Sequence, residues 1–387
     1  MRNQIGVIFK QADNFNHFRN ILDLLDPASF EIVIAGERDR LEAVLAQHGH
    51  QGIWYEDILP EAIEQEPRYR YTLSHHYITG FDLHRDDGTL ERKVYLPQLL
   101  GQTNIRMTYS MGKDYWVYAD WNRIFAIQLC YGPWHAERFK RCFSRFGMQV
   151  HQIGYPRYDD FFNLPFDREA LCAALGCDPA KKTLVWLPTR YQHTLRAFGE
   201  TVTGLSDRYN VLVKLHPLSW DEEPGLIDWL RQLPLTRLIR DTDHLELMRL
   251  ADHVLCDYGG AAFGALYTDR DILLFNHPAR TRFEPDQLHV DPDGPTRLEE
   301  LNQTELYLRR FLPNLNPDQQ QQLPELLTDT ALWEAQRAVR ARLRPEFFAP
   351  YYGSSAARAA GILTNLLAEP LTDSGTIAST LPTGDPP

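Results

Sequence analysis

Three short stretches in the second half of the chain combine residue types suited to holding phosphate. "LPTR" sets Thr189 and Arg190 after an apolar run. "KLHP" sets Lys214 and His216 after another, and "CDYGGA" sets Asp257, Tyr258, Gly259 and Gly260 after a third. A cation, an imidazole and a glycine-opened helix start can bind an anion together. The first N–H groups of a helix lack internal partners, and the helix dipole favours negative charge there. Each signal is weak alone. A Lys-x-His pair can be a solvated strand end, and Gly-Gly is usually a turn. "GGAAFG" does not match the dinucleotide fingerprint, because its spacing differs and no acid follows at the expected place. The three together, in this order, favour a phosphate or pyrophosphate site.

That site needs elements to bring it together. Apolar runs at 183–189, 209–217, 236–241, 253–258 and 271–275 alternate with helical patterns such as 244–251. The first part alternates too: strand-like 5–9, 30–36 and 52–57, helical 15–25 and 38–49. Further strands are expected in "RYTLSHHYIT" and "KVYLPQLL". Such alternation predicts βαβ units on parallel sheets. The expectation is two doubly wound α/β domains, 1–168 and 180–345, then a C-terminal helix over 346–367 and a polar, disordered tail over 368–387. Doubly wound sheets bind ligands beyond the carboxyl ends of their strands, so two of them facing each other make an interdomain cleft the default site.

Composition narrows the ligand. The 387 residues carry 40 Lys and Arg against 52 Asp and Glu, a formal charge of −12. An acidic body disfavours nucleic acid but permits a locally basic cleft. Five cysteines with no CxxC pair read as reduced thiols in a cytoplasmic protein, and no metal site is expected. No signal peptide is visible, and no run reaches the roughly 18–20 apolar residues of a membrane helix. The aromatic stretch "DYWVYADW" reads as strand packing more readily than as an acceptor groove.

"GYPRYDDFF", "LVWLPTRY", "VLVKLHP" and "ADHVLCDYGGAAFGALYTDRDILLF" resemble, in sequence and spacing, the CDP-glycerol glycerophosphotransferase family of teichoic-acid and capsule synthesis. "YYGSSAARAAGILTNLL" is similar to that family's tail, so the resemblance spans about 150–367. It implies a GT-B-like fold of two Rossmann-type domains. The implied donor is a CDP-activated polyol phosphate on the C-terminal domain. The implied acceptor is a hydroxyl of an envelope glycan or glycolipid, which attacks the β-phosphorus and displaces CMP without a cofactor or metal. On this resemblance Lys214 and His216 contact donor phosphates. Asp257 and Tyr258 shape the loop, Gly259 and Gly260 cradle the pyrophosphate, Thr189 lies beside it, and Arg157, Arg190 and Arg358 are nearby cations. The family also works at the inner face of the membrane, although the nearest basic amphipathic stretch, 335–348, is explained equally well by a packed helix.

Two departures stand out. The family's "DYSS" is "DYGG" here, which exchanges two hydroxyls for bare backbone. The family's acceptor-side "HG(T/S)" aligns with Leu100-Gly101-Gln102-Thr103, and leucine cannot take a proton. His75, His76 and His135 are the substitutes to consider. His76, ending a strand in the acceptor domain, is the candidate base, paired with His216 on the donor side. Two other readings stay open: a glycosyltransferase using a nucleotide sugar, and a catalytically altered nucleotide-binding member of the family.

Overall fold

The computed structural model describes residues 2–370, apart from residues 65, 86, 113, 190–192, 278–289, 292–293 and 296–302. The first half forms strands β1 (Arg2–Phe9), β2 (Phe30–Ile34), β3 (Gly52–Trp54), β4 (Tyr69–Ser74), β5 (Gly80–His84), β6 (Leu90–Tyr95), β7 (Gly101–Met107), β8 (Ile127–Cys130) and β9 (Gln149–Gln152). Seven of these make one parallel sheet in the order β3-β2-β1-β4-β7-β8-β9. β5 and β6 stand apart as an antiparallel hairpin.

The second half forms β10 (Lys182–Leu187), β11 (Tyr209–Lys214), β12 (Arg237–Ile239), β13 (His253–Cys256) and β14 (Asp271–Phe275). With the edge strand Asn314–Leu315 they make a second parallel sheet in the order β12-β11-β10-β13-β14-edge. Both sheets are covered by helices on two faces, so their strands read as nearly continuous apolar runs. In β10, five of six residues, Thr183 to Leu187, are buried.

One expectation fails locally. "LPQLL" is not strand but the helix Leu96–Leu100. Pro97 sits in its first turn, where the missing N–H costs nothing, and Gln98 accepts the N–H of Tyr95 at 3.1 Å.

The chain returns to the first domain at its end. The helix Thr330–Phe347 buries Trp333, Gln336, Arg340, Leu343 and Phe347. Its Arg340 is paired to Asp269 at 2.8 Å and Asp271 at 2.7 Å, so the basic stretch is a packed helix. The helix Ser355–Ala368 then packs Ala356, Ala359, Ile362 and Leu363 into the core of the first sheet. Asp159 accepts the N–H groups of Ser355 at 3.1 Å and Ala356 at 2.7 Å, which anchors that helix start. Residues 332–367 thus run as helix, a loop containing Gly353 and a second helix, and the C-terminal helix expected over 346–367 begins at Ser355. Of the expected tail, residues 371–387 lie outside the described residues. All five cysteines are buried and free. No described helix is long and apolar enough to cross a membrane.

Candidate functional site

The carboxyl ends of both sheets meet. From the first come Lys10 after β1, His75 and His76 after β4, Thr108 to Gly112 after β7, and Tyr155 to Arg157 after β9. From the second come Thr189 after β10, Lys214 and His216 at β11, Asp243 and His244 after β12, and Asp257 to Gly260 after β13. The contact across the gap is close. A side chain at Gly260 would press to 3.2 Å from Ser110 Oγ.

Asp257 is buried at the root of the loop. It accepts the N–H of Thr189 at 2.8 Å, the N–H of Tyr258 at 2.7 Å and the hydroxyl of Thr194. Those bonds tie the β10 loop to the β13 loop and use its carboxylate within the protein. Asp257 thus holds the two loops together. Burial pushes its pKa up, with the three donors opposing that shift. Tyr258 accepts the N–H of His277 at 3.0 Å, and the Arg309 guanidinium lies 4.1 Å over its ring. Arg309 also donates to the Asp257 carbonyl, a brace between residues 52 apart that no local pattern signals.

Gly259 caps the helix Gly260–Tyr267 with φ 98° and ψ −160°, a conformation essentially reserved for glycine. The expected cradle is modified, however. The Gly259 N–H donates to Glu305 Oε1 at 2.8 Å. A carboxylate of the protein therefore already sits at the helix N-terminus. The glycine Gly112 makes room for it, since a Cβ there would lie 2.6 Å from that same oxygen.

Lys214 donates to the Arg240 carbonyl at 2.8 Å, and its charged neighbours are Asp243, Arg157, Asp241 and Asp13. Burial lowers its pKa. His216 is exposed on the donor side. Arg190 lies outside the described residues. Arg358 is not brought to the cluster: it is exposed on the last helix, over the Tyr351 ring at 5.7 Å and beside His151.

The acceptor side differs most from expectation. Leu100 ends a short helix and Gly101 to Thr103 open β7, so the segment aligned with "HG(T/S)" lies at the amino end of the strand, away from the cleft. Periodicity alone does not say which end of a strand faces a partner domain. His76 is also a poor base. Its Nδ1 accepts the N–H of Ile78 at 2.6 Å, which leaves the proton on Nε2 as a donor and no lone pair free on the ring. His75 is 2% exposed, between the His76 and Tyr109 rings. His135 is enclosed by Tyr118, Tyr131 and Phe139, its pKa lowered to about 3 by burial.

What the structure adds is a cluster spanning the gap. Arg157 donates one guanidinium nitrogen to His17 Nε2 at 3.2 Å. The other reaches His244 Nδ1 at 3.1 Å and the Asp243 carboxylate at 3.4 and 3.5 Å. A guanidinium can only donate, so both ring nitrogens are acceptors. Asp243 Oδ1 lies 3.3 Å from the same His244 nitrogen, so in this arrangement the two acceptors share the Arg157 donor. Burial opposes ionisation of Asp243, yet the Arg157 charge and the Leu245 N–H hold its pKa below the usual range.

The segment 129–281 matches the sequence profile of the CDP-glycerol:poly(glycerophosphate) glycerophosphotransferase family. That match spans 153 of the 387 residues, from β8 to just beyond β14. The match holds Arg157, Lys214, His216 and Asp257 to Gly260, and leaves His17, His76 and Arg358 outside it. No curated protein matches the chain. Among solved structures, the wall teichoic acid polymerase TagF is similar at 14% identity, over 95% of this chain and 89% of that one, with a TM-score of 0.61. The UDP-GlcNAc 2-epimerase from Neisseria meningitidis bound to UDP-GlcNAc is similar at 12% identity, over 95% and 100%, with a TM-score of 0.57. The S. aureus MnaA–UDP structure gives 13% identity, 96%, 100% and 0.57. The fold is thus α/β of the GT-B type, and the matched segment holds the strand ends at Lys214 and Asp257.

Proposed function

We propose that the protein transfers glycerol phosphate, or a similar polyol phosphate, from a CDP-activated donor to a hydroxyl of an envelope glycan or glycolipid, releasing CMP. The observation that carries this reading is the convergence of the family-matched strand ends on one edge. Lys214, His216 and the start of helix Gly260–Tyr267 all lie where the two sheets meet. Phosphoryl transfer asks mainly for positioning and charge stabilisation, which the half-buried Lys214 and helix N–H groups would supply. The acceptor oxygen would bond to the β-phosphorus as its bond to the CMP oxygen breaks. With cationic side chains offsetting the leaving charge, no cofactor is called for, and turnover is expected to survive EDTA. An envelope acceptor would bring the protein to the inner membrane face as a peripheral protein.

Calorimetry with CDP-glycerol, CDP and UDP tests this reading. Cytidine nucleotides should bind in preference to UDP. Lys214→Met should weaken CDP-glycerol by about 2 kcal/mol, the loss of one charge-assisted contact. Preference for UDP would point instead to nucleotide-sugar chemistry, and absence of cytidine binding would overturn the proposal.

A further inference from the structure

The transfer proposed above needs a group on the acceptor side to take the hydroxyl proton, and the aligned histidine is missing. We infer that His17 is that proton acceptor, held in the cleft by Arg157. The inference rests on the proposed transfer reaction.

Position supports it first. His17 lies on the helix Ala12–Leu22, which begins directly after β1 at the carboxyl edge of the first sheet. That helix is fixed against the β9 loop: Asn20 donates to the Pro156 carbonyl at 3.0 Å and Arg19 pairs with Asp160. Asp13 on the same helix is a charged neighbour of Lys214, so the helix faces the donor-side cation. His17 reaches, through Arg157, the Asp243–His244 pair of the second domain. Among His17, His75, His76 and His135, it alone has a ring nitrogen in contact with an interdomain cation.

Chemistry supports it second. His17 Nε2 presents a lone pair, because the Arg157 guanidinium can only donate to it. Nδ1 then carries the proton, and it is buried without a hydrogen-bond partner. The ring is held by Tyr109 edge-on at 5.6 Å and by Tyr155 near-parallel at 6.4 Å. The groups facing it are Arg157, Asp243 and His244 from the domain gap, and Tyr109, Tyr155 and His75 from its own side. Burial, then the Arg157 charge, holds the imidazole neutral, which is the form a base requires.

Arg157 is weakly satisfied as it stands. Its partners are two imidazole nitrogens and a carboxylate no nearer than 3.4 Å, and its Nε is buried without a partner. A phosphate group is a better partner for a guanidinium than an imidazole. Donor binding would draw Arg157 onto the phosphate and release the Nε2 lone pair. The acceptor hydroxyl proton would then pass to Nε2 while its oxygen bonds to the β-phosphorus. The bond from phosphorus to the bridging oxygen breaks, and its electron pair leaves with CMP. The base would thus be unmasked by the donor.

The test uses the full chain, CDP-glycerol and a short poly(glycerol phosphate) oligomer, with CMP release as the readout. His17→Gln should lower kcat by about 100-fold or more, keep the CDP dissociation constant within about threefold and leave the Tm near that of wild type. His17→Ala should regain turnover on addition of free imidazole. Wild-type turnover with His17→Gln within about threefold of it would overturn the inference alone. So would joint loss of turnover, CDP binding and thermal stability without imidazole rescue, which would make His17 structural. Wild-type protein that neither binds CDP nor releases CMP would overturn the proposed function, and this inference with it.

Discussion

The backbone N–H of Gly259 donates to the Glu305 carboxylate at 2.8 Å. The helix N-terminus that should receive a donor phosphate thus already holds a negative charge of the protein's own. An incoming pyrophosphate must displace Glu305 or bind against its repulsion.

Removing that charge while keeping an acceptor should therefore favour the donor. Glu305→Gln is expected to tighten CDP-glycerol by on the order of 1 kcal/mol, about fivefold. Calorimetry at low and high salt checks this, and the gain should shrink as salt screens the charge. Weaker binding would mean that Glu305 positions the loop for the donor.

Gly259 is required for a different reason. Its φ of 98° strains any side chain, even though a Cβ would meet nothing within 4 Å. Gly259→Ala should cost about 1–3 kcal/mol through backbone strain alone. It should also weaken CDP-glycerol, because the first helical N–H groups move. Urea unfolding and calorimetry on one sample separate the two effects.

Asp114 gives a pH signature. It is 2% exposed, accepts the Thr304 N–H at 3.0 Å, and burial raises its pKa to about 7. A carboxyl raised in the folded state binds its proton there more tightly than in the unfolded chain. Its contribution is full below the unfolded pKa of about 4 and is lost as pH rises towards 7. Asp114→Asn keeps an acceptor and removes the titration. The stability of the variant relative to wild type should rise by roughly 3 kcal/mol from pH 5 to pH 8. Asp159, raised to about 6 by burial, acts in the same direction in both proteins and cancels from the comparison. A difference that does not change with pH would show that Asp114 is ionised in the fold.

The two parallel sheets, and the strand ends that carry Lys214 and Asp257, were already readable from the residue pattern. Parallel strands buried on both faces leave apolar runs, and a polar residue closing such a run marks a strand end. That is how Lys214, Asp257 and Gly259 were legible. It could not show that the Asp257 carboxylate is consumed by Thr189, Thr194 and Tyr258, because those bonds join separate loops. Nor could it assign Leu100 to the far end of β7, where a single boundary error reverses which edge a residue occupies. His17 stands 140 residues from Arg157, and Glu305 stands 46 from Gly259. Contacts at that separation leave no periodicity behind. They exist only once helices and sheets have packed, so the tertiary structure alone decided which histidine faces the cleft and which acid fills the cradle.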